Sequence, residues 1–255
     1  MKKVLIVLLI ILIAAGGFVF LGLSGLDDLI KQQIETQGSK VTKTSVTVSK
    51  VETKLTEAKI TIGGLGIANP EGYSVDDAFK LNTVRLDLGT STSEPYVIEE
   101  ILIDAPEVLY ELGSAGKANL ITLKENLQAS LPQSETSEPT GEAANPLVSV
   151  KKIKVQAVKL KLNLQALDLE QLPDDKRQFE LTLPTFYADA VGVPDGIPAD
   201  QVGAAIVDAM LDNLIKEGKR KVKGIFEDEA KQKLEEEKQK LEEKAKEKLK
   251  GLLGG

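Results

Sequence analysis

The chain contains no cysteine, no histidine and no tryptophan. Without cysteine there is no disulfide, no thiol nucleophile and no cysteine-linked lipid. Without histidine, Ser-His-Asp and Cys-His catalysis, His-ligated zinc and imidazole proton shuttles all drop out. Aromatic residues make up only 4%, too few for an aromatic platform for sugars. A net charge of -7 argues against nucleic acid as the partner, because phosphate binding needs a clustered positive surface. The acidic pairs Glu99-Glu100 and Asp174-Asp175 do not repair this, since neighbours on a strand point to opposite faces. Calcium would need spaced oxygen ligands in a tight loop, and none is evident. We therefore expect a protein that is not an enzyme and uses no cofactor or metal.

What is present begins with a membrane signal. Lys2 and Lys3 precede an uncharged run from Val4 to Leu23, and Asp27 and Asp28 follow it. About twenty residues at about 1.5 Å each span a hydrocarbon core. The positive-inside rule then puts the N-terminus in the cytoplasm and the rest outside. The rival reading is a cleaved signal peptide, whose apolar region is about 7–15 residues. Ala14, Ala15 and Gly16 would suit a peptidase, but Phe18-Val19-Phe20-Leu21 continue the apolar run beyond them, which favours an uncleaved anchor.

Beyond the anchor, Leu26 through Ile34 reads as a short helix with acidic residues in its first turn. From Val41 the period changes to two, with Val46 and Val48, Val51, then Ile60 and Ile62. Thr56-Glu57 is the expected turn. Gly63-Gly64-Leu65-Gly66-Ile67-Ala68-Asn69-Pro70 ends that run; neither a Gly-Lys-Ser/Thr nor a G-x-G-x-x-G pattern follows, so loop and bulge glycines are expected there rather than a phosphate site. Val84, Leu86 and Leu88 predict a strand, as do Ile101 with Ile103, and Val108 with Tyr110 and Leu112. Pro106 marks an edge, a bulge or a break between the last two. Leu120 to Leu127 predicts a helix.

Ser130 to Pro146 is rich in Ser, Glu, Thr and Pro and reads as a linker or long loop. From Val148 to Leu169 aliphatic residues alternate with polar ones, the pattern of a half-buried antiparallel strand. Its phase slips at Lys151-Lys152, Ala157-Val158 and Ala166-Leu167, each a place for a bulge or bend. Phe179, Leu181 and Leu183 supply a further strand. After Pro198, residues Val202, Ala205, Ile206, Ala209, Met210 and Leu214 form one face of a helix, for which Gly218 is the expected stop. From Lys219 onward Lys and Glu dominate, with a thin apolar stripe at helical spacing that includes Phe226, Leu234 and Leu241.

The expected class is α+β: an N-terminal transmembrane helix, a curved, mostly antiparallel sheet apolar on one side with a few flanking helices, and a long charged C-terminal helix. The expected segments are an anchor (1–25), an N-terminal β module (26–129), a linker (130–146), strands and a helix completing the module (147–218), and a helical tail (219–255).

Several stretches resemble the AsmA-like family of bacterial envelope proteins, in particular its short members. They are the anchor with Leu26-Asp27-Asp28-Leu29-Ile30, then Gly64-Leu65-Gly66-Ile67-Ala68-Asn69-Pro70-Glu71-Gly72-Tyr73, and the segments Ala78–Leu88 and Val97–Val108. The likeness covers about residues 1–125 and is looser over 148–215. It implies a single-pass inner-membrane protein with its bulk in the periplasm and a curved sheet apolar on one side. Larger relatives are associated with moving phospholipid or with outer-membrane assembly. The family carries over no catalytic residues, and this chain is too short to bridge an envelope.

Two functions follow as expectations. In the first, the aliphatic face cradles lipid acyl chains, lined by Ile60, Ile62, Val84, Leu86, Ile101, Ile103, Val155, Leu160, Leu162 and Leu164. In the second, the β core is closed and residues 219–255 recruit an envelope protein. The expected partners are thus the membrane, through the anchor, and either lipid or a protein.

Overall fold

A computed structural model describes residues 25–91, 93–130, 146–167 and 177–253. The expected anchor lies outside the described residues except for Gly25, and so do residues 131–145 of the expected linker and the Asp174-Asp175 pair. Among the described residues no helix is long and apolar enough to cross a membrane.

Helix α1 (Leu26–Thr42) leads into strands β1 (Val46–Lys54), β2 (Lys59–Ala68), β3 (Asp77–Leu88), β4 (Tyr96–Asp104) and β5 (Glu107–Glu111). Helix α2 (Asn119–Ser130) follows. Then come β6 (Leu147–Val150), β7 (Ile153–Gln156), β8 (Lys159–Asn163), β9 (Gln178–Thr182), β10 (Phe186–Ala188), β11 (Ile197–Pro198) and helix α3 (Ala199–Leu253). The fold is α+β, and its strands join one 11-stranded sheet. Segments 26–129 and 147–218 are therefore parts of a single module.

The eleven strands collapse into six lanes. β1, β2 and β3 are antiparallel neighbours. The fourth lane is β4 continued by β5, both antiparallel to β3. The fifth is β6, β7 and β8 end to end; the sixth is β9, β10 and β11. The fifth lane corrects the sequence reading, because it runs parallel to the fourth and antiparallel only to the sixth. Alternation reports which side is buried, not strand direction. The connection through α2 is what returns the chain to the same end of the sheet, as a parallel pair requires. Pairing keeps one register throughout, from Tyr96 opposite Val148 to Glu111 opposite Asn163.

Charge reinforces that register on the outer face. Lys151 binds Glu99 and Lys152 binds Glu100, both at 2.9 Å; Gln156 donates to Asp104 and Lys161 to Glu107. Such half-exposed pairs contribute at most about 1 kcal/mol each. Slipping the lane by one residue would unmake all of them and turn its apolar set outward.

Two of the three expected phase slips, Lys151-Lys152 and Ala157-Val158, are where the fifth lane breaks; Ala166-Leu167 lies beyond β8, which ends at Asn163. Ala157 (φ 54) and Ala105 (φ 45) adopt left-handed conformations side by side. Ala105 N–H donates to Gln156, Lys159 N–H to Pro106 and Leu183 N–H to Val158. A crease thus crosses three lanes at one level, and the sheet curls there. Pro106 fits because its missing N–H falls in a break of the ladder.

The curled sheet closes on its own helices. α1 packs on β1, α2 on α1 and β5, and α3 on α2 and on β6, β8, β10 and β11. α1 is longer than the sequence suggests and ends only at Lys43, which is left-handed (φ 55). Tertiary contacts hold its last turns: Val46 N–H donates to Ser39 Oγ, and Val48 N–H to Glu35 Oε1. Gly38 permits the approach, since a Cβ there would lie 3.0 Å from Val46 Cγ1. β2 also runs through its glycines to Ala68, with Gly64 at φ 60 against Ser49.

Candidate functional site

All ten expected lipid-lining residues lie on the inner side of the sheet. Ile60, Ile62, Val84, Ile101, Ile103, Val155, Leu160, Leu162 and Leu164 are buried, and Leu86 is half-buried against the same cluster. They pack in one core with Leu120, Leu123 and Leu127 of α2 and Leu211 and Leu214 of α3, each 0% exposed. An acyl chain would have to displace those helix side chains to reach them. On the outer face a groove of about 190 Å³ is bounded by Lys59, Ile60, Thr61, Arg85, Asp87, Glu100 and Leu102. Charged side chains stand beside apolar ones in its walls.

The turn that carries the family resemblance has a structural task that the sequence hides. Glu111 follows Tyr110 in an alternating strand and reads as solvent-facing, yet it is only 5% exposed. Its carboxylate accepts from the Ser74 hydroxyl at 2.6 Å, the Ser74 N–H at 3.0 Å and Asn69 Nδ2 at 2.9 Å. Asn119, the first residue of α2, accepts the Glu111 N–H and donates to Asn69 Oδ1 and to the Leu109 carbonyl. Tyr73 reaches Thr122 of α2 at 3.0 Å. The loop 69–74 is thereby clasped to β5 and α2, with donors meeting the buried carboxylate as burial demands. The only sequence signal was the composition Asn69, Ser74 and Asn119.

Helix α3 does not stop at Gly218, the stop expected from the sequence, but continues to Leu253. Gly218 is a contact point: a Cβ there would overlap the Tyr110 ring, with Cγ 2.8 Å away. Burial in turn pushes the Tyr110 hydroxyl up to about 12, since the charged phenolate is disfavoured there. Lys124 of α2 bridges Asp208 and Asp212 of α3. Leu211, Leu214, Gly218 and Ile225, at steps of three, four and seven, face the module.

The opposite side of α3 is open. Lys216, Lys219, Arg220 and Lys223 are exposed there, with Glu217 paired to Arg220 and Glu227 to Lys223. Farther on, Phe226, Leu234 and Leu241 are 38%, 57% and 66% exposed. Beyond Phe226 the helix projects for roughly 40 Å at about 1.5 Å per residue. Three of the exposed large apolar side chains among the described residues thus lie on this one helix.

Chemistry of other kinds finds few groups. Glu99 and Glu100 are each taken up by their own lysine. Among the described residues no group of three His, Cys, Asp or Glu side chains is placed to hold a metal ion. Comparison with protein-family models and with curated proteins returns no match to this chain.

Proposed function

We propose that this chain is a non-catalytic scaffold of the cell envelope, in which a closed β module held at the membrane offers the projecting half of α3 to a protein partner. The observation that carries the reading is the contrast between a filled inner face and the exposed Leu234 and Leu241. The apolar run near the N-terminus supports the membrane attachment, and the AsmA-like resemblance supports the envelope setting.

The topology gives the arm a direction. Lys31 reaches the Ser49 carbonyl and Ser39 meets Val46, so α1 starts toward the Lys54 end of β1. α3 starts at that same end of the sheet, where Pro198 pairs Leu147 and Tyr96 pairs Val148. It then passes Tyr110 near the other end. With the anchor preceding α1, the arm leaves from the side of the module away from the membrane.

Photo-crosslinking from position 234 of the full-length chain in living cells, compared with a chain ending at residue 226, tests this. Protein adducts from the full chain, with the short chain equally abundant and equally stable, are the expected result. An arm that crosslinks to nothing, while cells keep the protein's function without it, would overturn the reading.

A further inference from the structure

The open side of α3 is one continuous strip with two chemistries. Lys216, Lys219, Lys223, Phe226, Leu234 and Leu241 fall at steps of three, four, three, eight and seven, so at 3.6 residues per turn they share one broad side. The module-facing residues Leu211, Leu214, Gly218 and Ile225 lie about half a turn away, and the burial of the two sets agrees with that division. The strip is cationic where α3 leaves the module, with Lys223 also paired to Glu227, and along the arm Ala230, Leu234 and Leu241 share it with Glu237. This cationic end stands out on a chain of net charge -7.

Resting on the scaffold reading, we infer that this strip docks an amphipathic helix of another protein, one with an apolar stripe and an acidic end. The apolar stripe covers Leu234 and Leu241, and the acidic end lies over Lys216, Lys219 and Lys223. Charge complementarity selects the partner's sign and its direction along α3. A parallel second copy of α3 fits poorly, because its own strip sets lysines against lysines; an antiparallel copy would show as a dimer of the full-length chain in detergent, and that result would overturn the inference. The membrane of the anchor is out of reach, since the strip lies toward the opposite end of the module.

The test uses the full-length chain in detergent and two fluorescein-labelled synthetic helices of about 20 residues. Both carry leucines at three-four spacing; one ends in four glutamates, the other in four lysines. Fluorescence anisotropy at low salt is expected to show the glutamate peptide binding at least about tenfold tighter than the lysine peptide. K216E/K219E/K223E is expected to invert that preference, and L234S/L241S to weaken both peptides. Circular dichroism would verify that each variant keeps its helix. Equal binding of the two peptides, no binding of either, or indifference to the charge reversal would overturn the inference. So would vesicles containing phosphatidylglycerol that bind through the lysines without needing Leu234 and Leu241. If crosslinks from position 234 persist in cells while charge reversal changes nothing, the scaffold reading stands and the acidic-helix inference falls.

Discussion

From Ala199 to about Ile225 the helix α3 is held by the module, whereas from Glu227 to Leu253 it is held by its own sequence. In the first half Leu211 and Leu214 are fully buried, Gly218 abuts Tyr110, and Lys124 ties two aspartates to α2. In the second half most described side chains are exposed. There Glu227-Lys231, Glu229-Lys233, Glu236-Lys240 and Glu242-Lys246 stand four apart with the acid first. That spacing supports a lone helix by a few tenths of a kcal/mol per pair. One helix thus shows how packing fixes a position and how charge only keeps a shape. The half that packing leaves free is the half available to a partner.

Breaking the packed half should have the largest effect. Gly218→Val drives a branched side chain into the Tyr110 ring and should lower unfolding stability by about 3 kcal/mol, the upper range for overpacking. Denaturant titration would read it, and Tyr110→Ala in the same chain should make the two changes non-additive. Glu111→Ala strands the Ser74 and Asn69 donors and should lower stability by about 2 kcal/mol. Loss of Lys124 should lower it by about 1 kcal/mol, since its side chain is largely buried between two aspartates. Leu234→Ser with Leu241→Ser should leave the unfolding midpoint unchanged within about 0.5 kcal/mol. A large loss there would mean the arm packs on something within the chain.

The smallest effect concerns charge on the sheet's outer face. The hydrogen bond and charge of Lys161 hold the Glu107 carboxyl below its ordinary value of 4.5. A carboxylate with a lowered folded pKa contributes stability above the unfolded value and loses it as pH falls through the folded one. The pair is half-exposed, so the contribution is a few tenths of a kcal/mol after solvent screening. Comparing Glu107→Gln with the parent at pH 7 and below about pH 4 should show the difference shrinking as pH falls.

The periodicity made much of this fold legible, and for identifiable reasons. Alternation in Val148–Leu164 marked the buried side, and the slips at Lys151-Lys152 and Ala157-Val158 marked the breaks, because a two-residue period cannot shift without a kink. Strand direction was not legible, since a parallel and an antiparallel strand bury the same residues here. The length of α1 was hidden because its last turns depend on Ser39 and Glu35 meeting β1, contacts between residues 7 and 13 apart in sequence. Gly218 looked like a stop because a helical glycine usually weakens the helix; only the ring of Tyr110 explains it. The ten apolar residues share the inner side of the sheet, but sequence cannot say whether helices or a ligand fill the space before them. The exposed stripe at Leu234 and Leu241 was visible from the start as helical spacing in a charged tail.

Hydrogen exchange along α3 in the full-length protein tests the central contrast most directly. Amides from about Val202 to Val222 should exchange near the rate set by global unfolding, and those from Ala230 to Leu241 orders of magnitude faster. Uniform protection along the helix, or fast exchange on the side of Leu211 and Leu214, would contradict it.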